Sequence, residues 1–319
     1  MTYRLRIEPY RWKFQQPIQT HHGLWEIREG SIVGLEREDG VVGWGEIAPI
    51  PWFGTETLEE AIAFCKSLPT FVTESDILSV PDRLPACQFG FGSAWEALST
   101  PRPEADFAPS QIGVLLPAGE DALSAWPAPW AKGHRTFKWK IGVLDVPREL
   151  DLFHRLVSAL PENAKLRLDA NGGLTLAQAK QWLETCDRTS RIAIEYLEQP
   201  LPPDRFEAMM QLARAYKTPL ALDESVATVA QLRQCYERGW KGVMAIKPAI
   251  AGYPQALRDF LNTHTADVVF SSAFETEIGR RAALALARSF NPPHRAIGFG
   301  VNPPRTDLSV YTQVSNTLR

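Results

Sequence analysis

Several things are scarce in this chain of 319 residues, and each scarcity removes a class of function. There are four cysteines, Cys65, Cys87, Cys186 and Cys235, far apart and each among helix-patterned residues, so neither a disulfide framework nor a cysteine metal site is expected. Reduced thiols in turn point to the cytoplasm as compartment. No run of 18 apolar residues exists, and the opening Met1-Thr2-Tyr3-Arg4-Leu5-Arg6 is too polar for the core of a secretory signal. Membrane spanning and export are therefore not expected. Charge of neither sign dominates: the net charge of −3 gives no footing for nucleic acid or an anionic membrane as partner. Low-complexity tracts are absent too, and nothing in the composition specifies an oligomeric state.

What remains is an ordinary globular composition, 45% hydrophobic and 22% charged, on a chain long enough for one barrel-sized domain and a smaller one. Residues 1–100 carry strands followed by helices. Tyr3 to Phe14 and Gly30 to Glu38 alternate, and Asp39-Gly40 is a hairpin signal leading into Val41–Glu46. Helical patterns follow at Thr57–Cys65, where Thr57 and Glu60 form a capping box, and at Gly92–Leu98. That order indicates a small α+β domain. Two of its segments, Gln19–Trp25 with the paired His21 and His22, and Pro49–Gly54 with Trp52 and Phe53, read as loops that either fold onto their own core or cover a ligand. Pro101-Arg102-Pro103 reads as the linker, because closely spaced prolines cannot continue a helix.

From residue 104 to 300 the pattern changes to strand and helix in alternation. Thr136-Phe137-Lys138-Trp139-Lys140-Ile141 places its aromatic and aliphatic residues on one face and two lysines on the other. Four later runs end on a charged residue: Leu166–Asp169, Ile194–Glu198, Leu220–Asp223 and Met244–Lys247. A fifth, Val268–Phe270, ends on Ser271-Ser272. Counting from Lys140, each end lies 24–29 residues after the last, about one βα unit, so one polar residue marks the same end of each of these strands. In a (β/α) barrel these ends meet at a single mouth.

Three carboxylates gathered there, Asp169, Glu198 and Asp223, repel one another unless a cation lies between them. A lone acid at a strand end usually caps the next helix; three in register favour a hard divalent cation, Mg²⁺, for which Mn²⁺ could substitute. Glu195 is the rival to Glu198, but lies about 10 Å deeper along its strand. Lys140 and Lys247, on opposite sides of such a barrel, call for an anionic partner such as a small-molecule carboxylate substrate. Metal and lysine together suit abstraction of a proton next to a carboxylate, with the charge that develops held electrostatically.

Lys138-Trp139-Lys140, Asp169-Ala170-Asn171, Glu198-Gln199-Pro200, Asp223-Glu224-Ser225 and Lys247-Pro248 together resemble the enolase superfamily, in its muconate-lactonising subgroup. Gly45–Pro51 and Ser271–Thr276 resemble, within that subgroup, the o-succinylbenzoate synthase family of menaquinone or phylloquinone synthesis. The resemblance implies a modified (β/α)7β TIM-like barrel under an N-terminal α+β capping domain, with the tail from about 301 to 319 packing back on the cap. It implies Mg²⁺ on Asp169, Glu198 and Asp223. Lys140 would take the α-proton of 2-succinyl-6-hydroxy-2,4-cyclohexadiene-1-carboxylate and return it to the leaving hydroxyl on the same face. Lys247 would stay protonated against the opposite face, Lys138 would contact the substrate carboxylate, and Arg167 would support the base or form a structural ion pair. Ser271 and Ser272 would contact the succinyl tail or cap the next helix. Racemases, epimerases and cycloisomerases of the subgroup share both lysines, and a barrel that only binds Mg²⁺ and an anion would keep the same residues. An Asp-x-Asp near the last strands, expected where an amino group is held, is missing, which favours a substrate without an amine.

Overall fold

Alternating apolar and polar residues build a four-stranded antiparallel sheet from β1 (Thr2–Thr20), β2 (Gly23–Glu36), β3 (Val42–Ile47) and β4 (Phe71–Thr73), in the order β3-β2-β1-β4. The computed structural model describes residues 1–20, 23–99, 106–292 and 294–301. His21 and His22, Pro101-Arg102-Pro103 and the tail beyond residue 301 lie outside the described residues.

The first hairpin is longer than its sequence pattern suggests. Ile18 pairs with Trp25 and Thr20 with Gly23, so the segment expected to be a loop from Gln19 to Trp25 is strand up to its tip. A register shift between Lys13 and Ile18 contains Pro17, which has no N–H to give the ladder; that irregularity breaks the alternation and hides the continuing strand. Elsewhere the local signals act as read. Gly40 takes φ 82° in the turn before β3, and Thr57 and Glu60 close a reciprocal cap on the helix Leu58–Ser67.

The helix Pro85–Ser99 lies against β3 so closely that only glycine fits between them. A Cβ on Gly45 would stand 2.0 Å from the carbonyl oxygen of Gly90. Gly45→Ala is therefore expected to cost about 2–3 kcal/mol through overpacking, read as a lower denaturant midpoint with unchanged slope.

The second sheet holds eight parallel strands: β5 (Ile112–Leu115), β6 (Thr136–Lys140), β7 (Lys165–Asp169), β8 (Ala193–Glu198), β9 (Leu220–Leu222), β10 (Val243–Ile246), β11 (Val268–Phe270) and β12 (Ile297–Gly300). Their order is β11-β10-β9-β8-β7-β6-β5-β12, and a parallel bridge from Ser271 to Gly298 joins the ends into a barrel. Helices with one apolar stripe cover the outside. Trp139 of β6 meets Trp182 of the helix Leu176–Arg188 at 6.4 Å between rings, and Trp182 meets Phe153 of the helix Val146–Ala159 at 5.5 Å. The apolar face of β6 thus packs outward and leaves Lys138 and Lys140 pointing into the barrel, beside interior residues such as Tyr196, Ala221 and Val269. Polar contacts dock the cap on the barrel, among them Arg258, which donates to both oxygens of Glu96 at 2.6 and 2.7 Å, and the Tyr253 hydroxyl, which donates to the Ile77 carbonyl. Among the described residues no helix is long and apolar enough to cross a membrane.

Candidate active site

Strand register sets the level of the site. Lys140 pairs with Asp169 across β6 and β7, and Asp169 with Glu198 across β7 and β8; Asp223 directly follows β9. One oxygen from each of Asp169, Glu198 and Asp223 lies within 4.8 Å of the others, all three groups being buried. Glu195, three residues earlier, faces elsewhere: it pairs with Arg167 at 2.6 Å and Arg295 at 3.6 Å.

Three ammonium groups balance these carboxylates. Lys138 Nζ lies 2.8 Å from Asp169 and 2.7 Å from Glu198, and Lys140 Nζ 2.7 Å from Asp169 and 2.6 Å from Asn171 Oδ1. Lys247 pairs with Asp223 from β10's end, four strands round the barrel from Lys140. The three lysines offset the three carboxylates, and a divalent cation added to the site would favour an anionic ligand. Burial opposes the charge of Lys138, but Asp169, Glu198 and Asp223 outweigh it and hold this ammonium well above its ordinary pKa. Burial likewise opposes ionisation of Asp169, and Lys138 and Lys140 overcome it, keeping that carboxyl below the usual range.

Glu198 behaves in the opposite way. Burial first, then the charge of Asp169, pushes its carboxyl up to about 7. Its Oε2 atom is buried and has no hydrogen-bond partner. An orphaned oxygen on one carboxylate of such a triad is what a hard cation would satisfy, so the donor set fits one. The sign of the pH effect follows. Between the ordinary carboxylate range and pH about 7, the folded metal-free protein holds a proton the unfolded chain has lost, so this group's contribution to stability falls as pH rises through that window. A cation must displace the same proton. Calorimetric titration with Mg²⁺ in two buffers of different ionisation heat is expected to show proton release at pH 6 and almost none at pH 8, with affinity falling as pH drops through about 7.

The strand ends carry backbone strain. Among the described residues the non-glycine positions with positive φ are Asn171 (45°), Gln199 (36°) and Phe274 (57°), each at the barrel mouth. Gln199 uses its side chain to knit adjacent strand ends, accepting from the N–H of Asp223 at 2.9 Å and donating to Ser225 Oγ at 2.8 Å. Asn171 accepts from Lys140 and donates to Glu224 at 2.9 Å. In the sequence both stand beside the acids, in Asp169-Ala170-Asn171 and Glu198-Gln199-Pro200, and nothing local marks their contacts.

A cavity of about 60 Å³ over the acids is lined by Lys138, Lys140, Arg167, Lys247, Ser271 and Ser272, with Trp25, Trp52, Phe53 and Phe274 forming its apolar side. A larger one of about 620 Å³, beside β5 and the β1 hairpin, also reaches Lys140. The Pro49–Gly54 segment therefore covers the mouth: Phe53 is buried with its ring centroid 4.2 Å from Lys247 Nζ, and Trp52 meets Trp25 at 4.8 Å. Arg167 is buried in its pair with Glu195, 5.0 Å over the ring of Tyr196. Neither serine caps the following helix Glu277–Phe290; its N-cap is Thr276, while Ser272 Oγ donates to Glu275.

Known proteins resemble this chain in sequence and in fold. The family described as Enolase C-terminal domain-like matches residues 123–312, and MenC, N-terminal domain, matches residues 4–98. An o-succinylbenzoate synthase from Thermosynechococcus vestitus is 41% identical over 100% of this chain and 99% of its own. The chain belongs to the o-succinylbenzoate synthase family. A second o-succinylbenzoate synthase, from Edwardsiella ictaluri, is 33% identical over 89% of this chain and 85% of its own. The crystal structure of o-succinylbenzoate synthase from Thermosynechococcus elongatus, with magnesium in its active site, superposes at TM-score 0.87 with 40% identity, covering 97% of this chain and 98% of that one. A dipeptide epimerase from Methylococcus capsulatus, 20% identical with a TM-score of 0.81, shares the fold.

Proposed function

We propose that this site dehydrates 2-succinyl-6-hydroxy-2,4-cyclohexadiene-1-carboxylate to 2-succinylbenzoate, a carbon–oxygen lyase reaction of menaquinone or phylloquinone formation, with Lys140 moving the proton. The observation that carries the reading is the placement of Lys140 and Lys247 four strands apart, facing each other across a carboxylate triad. Asp169, Glu198 and Asp223 would hold Mg²⁺. When bound, this ion supplies Lewis-acid stabilisation of the negative charge that develops on the substrate carboxylate.

The chain's own groups do the rest. Lys140 Nζ, as the free amine, takes the proton from the carbon bearing the carboxylate, and Asn171 Oδ1 fixes its direction from 2.6 Å. The resulting ammonium gives the proton back to the departing hydroxyl on the same face; water leaves and the ring becomes aromatic. Lys247 remains an ammonium on the opposite face, held by Asp223 and the Phe53 ring, and offers positive charge to the electron-rich intermediate. Lys138 neutralises Asp169 and Glu198 and faces the substrate carboxylate. Trp25, Trp52, Phe53 and Phe274 exclude water from the ring. We place the reaction in the cytoplasm, supported by four buried cysteines, none of them in a disulfide.

The test is the product. Mass spectrometry after incubation with the diene is expected to find an aromatic acid one water lighter than the substrate. Unchanged diene, together with α-proton exchange of N-acylamino acids in D₂O, would move the assignment to a racemase.

A further inference from the structure

Glu46 belongs to β3 of the cap, is completely buried, and directs its carboxylate into the barrel domain. The Thr276 N–H donates to both of its oxygens at 2.9 Å, the Thr276 hydroxyl donates at 2.5 Å and the Gly279 N–H at 2.9 Å. From its own domain it accepts the Tyr10 hydroxyl at 2.5 Å. These barrel donors are the first turn of the helix Glu277–Phe290, where orphan N–H groups and the helix dipole both favour an acid. The fit is specific: a Cβ at Gly279 would lie 2.6 Å from Glu46 Oε2, so the approach requires glycine there.

Two residues before Thr276 stands Phe274, on the wall of the site. It holds φ at 57°, a conformation a bulky residue keeps only when its surroundings over-determine it. Its ring meets Trp25 at 5.5 Å and Phe14 at 5.7 Å, both in the cap, and its carbonyl accepts from Arg28 Nε at 3.3 Å. Arg28 is itself buried and donates to the carbonyls of Ala48 and Pro49. On the barrel side Ser272 and Glu275 tie the same turn: Phe274 N–H donates to Ser272 Oγ at 2.9 Å and Ala273 N–H to Glu275 at 2.6 Å. Phe274 is therefore clamped from both domains, and Glu46 is the charged end of the clamp.

We propose that Glu46 is a positioning residue for substrate recognition: by fastening Thr276 and Gly279 to the cap it holds Phe274 against Trp25 and fixes the apolar wall of the pocket. This deepens the proposed function and rests on it for the identity of the substrate. The clamp stands at the end of β11, whereas the carboxylate triad and the three lysines lie on β6 to β10, so it sets how well substrate is bound and not how fast the proton moves.

Steady-state kinetics with the diene and amide hydrogen exchange read by mass spectrometry test this on the full Mg²⁺-loaded chain. Glu46→Gln, which turns an amide group toward N–H donors, is expected to raise KM about tenfold, equivalent to about 1.4 kcal/mol, with kcat within about twofold of wild type. Exchange over residues 273–279 should accelerate at least about tenfold while that of the helix Pro85–Ser99 stays unchanged. Gly279→Ala reproduces both effects from the barrel side, and the double variant is no worse than the more impaired single one. Tyr10→Phe keeps the barrel donors and gives a smaller change in the same direction; it carries the test if the other variants fail to fold. An unchanged KM, a fall in kcat at constant KM, or fully additive effects of Glu46→Gln and Gly279→Ala overturns the proposal. Should wild type not turn over the diene, the functional reading fails instead, and the exchange pattern over 273–279 still decides whether Glu46 holds the wall.

Discussion

Lys140→Ala is expected to lower kcat by about 10⁴-fold, the upper range for a single acid–base group, because in the proposed mechanism one amine both takes and returns the proton. No neighbour is placed to replace it. Lys138 is engaged by Asp169 and Glu198, and Lys247 stands across the barrel on Asp223. KM should change little, since the lost interaction belongs to the transition state. The fold should survive, because Asp169 keeps Lys138 at 2.8 Å as its counter-charge. Stopped-flow or steady-state loss of diene absorbance at saturating substrate gives kcat, and thermal melting checks the fold. A variant retaining a tenth of wild-type kcat would remove Lys140 from the role of base.

The second large effect is withdrawal of the cation. Chelation is expected to reduce turnover at least about 10³-fold, the consequence of losing several kcal/mol of charge stabilisation. A readout independent of activity accompanies it. Mg²⁺ at about a hundred times its Kd stabilises the native state by about 2.7 kcal/mol, a rise of several degrees in Tm. Glu198→Gln should lose most of that rise, because Oε2 of Glu198 is the unpartnered oxygen in the triad. If the variant's Tm still rose with Mg²⁺ as in wild type, the triad would not be the cation site.

How much of this was legible in the sequence depends on the range of the interactions. The barrel was readable because two local regularities coincide: alternation within β6, which puts Trp139 outside and Lys138 and Lys140 inside, and a polar residue at the end of each strand from β6 to β11, spaced by one βα unit. The hairpin of β1 and β2 was only half readable, since Pro17 falls in an irregularity that interrupts the alternation. Contacts between the domains left no local trace. Glu46 and Thr276 are 230 positions apart, and nothing around either announces the other. Ser271 and Ser272 left two readings open, contact with the succinyl tail or a helix cap; Thr276 supplies the cap, and Ser272 braces Glu275. Phe53 could be recognised as an aromatic in a loop bounded by proline and glycine, but its place against Lys247 required the fold.

The central claim is tested most directly by following diene absorbance after adding the wild-type protein to 2-succinyl-6-hydroxy-2,4-cyclohexadiene-1-carboxylate, once with Mg²⁺ and once with EDTA. Rapid loss with the ion, abolished by the chelator, is the predicted result. A folded, Mg²⁺-loaded protein that leaves the diene intact would contradict it.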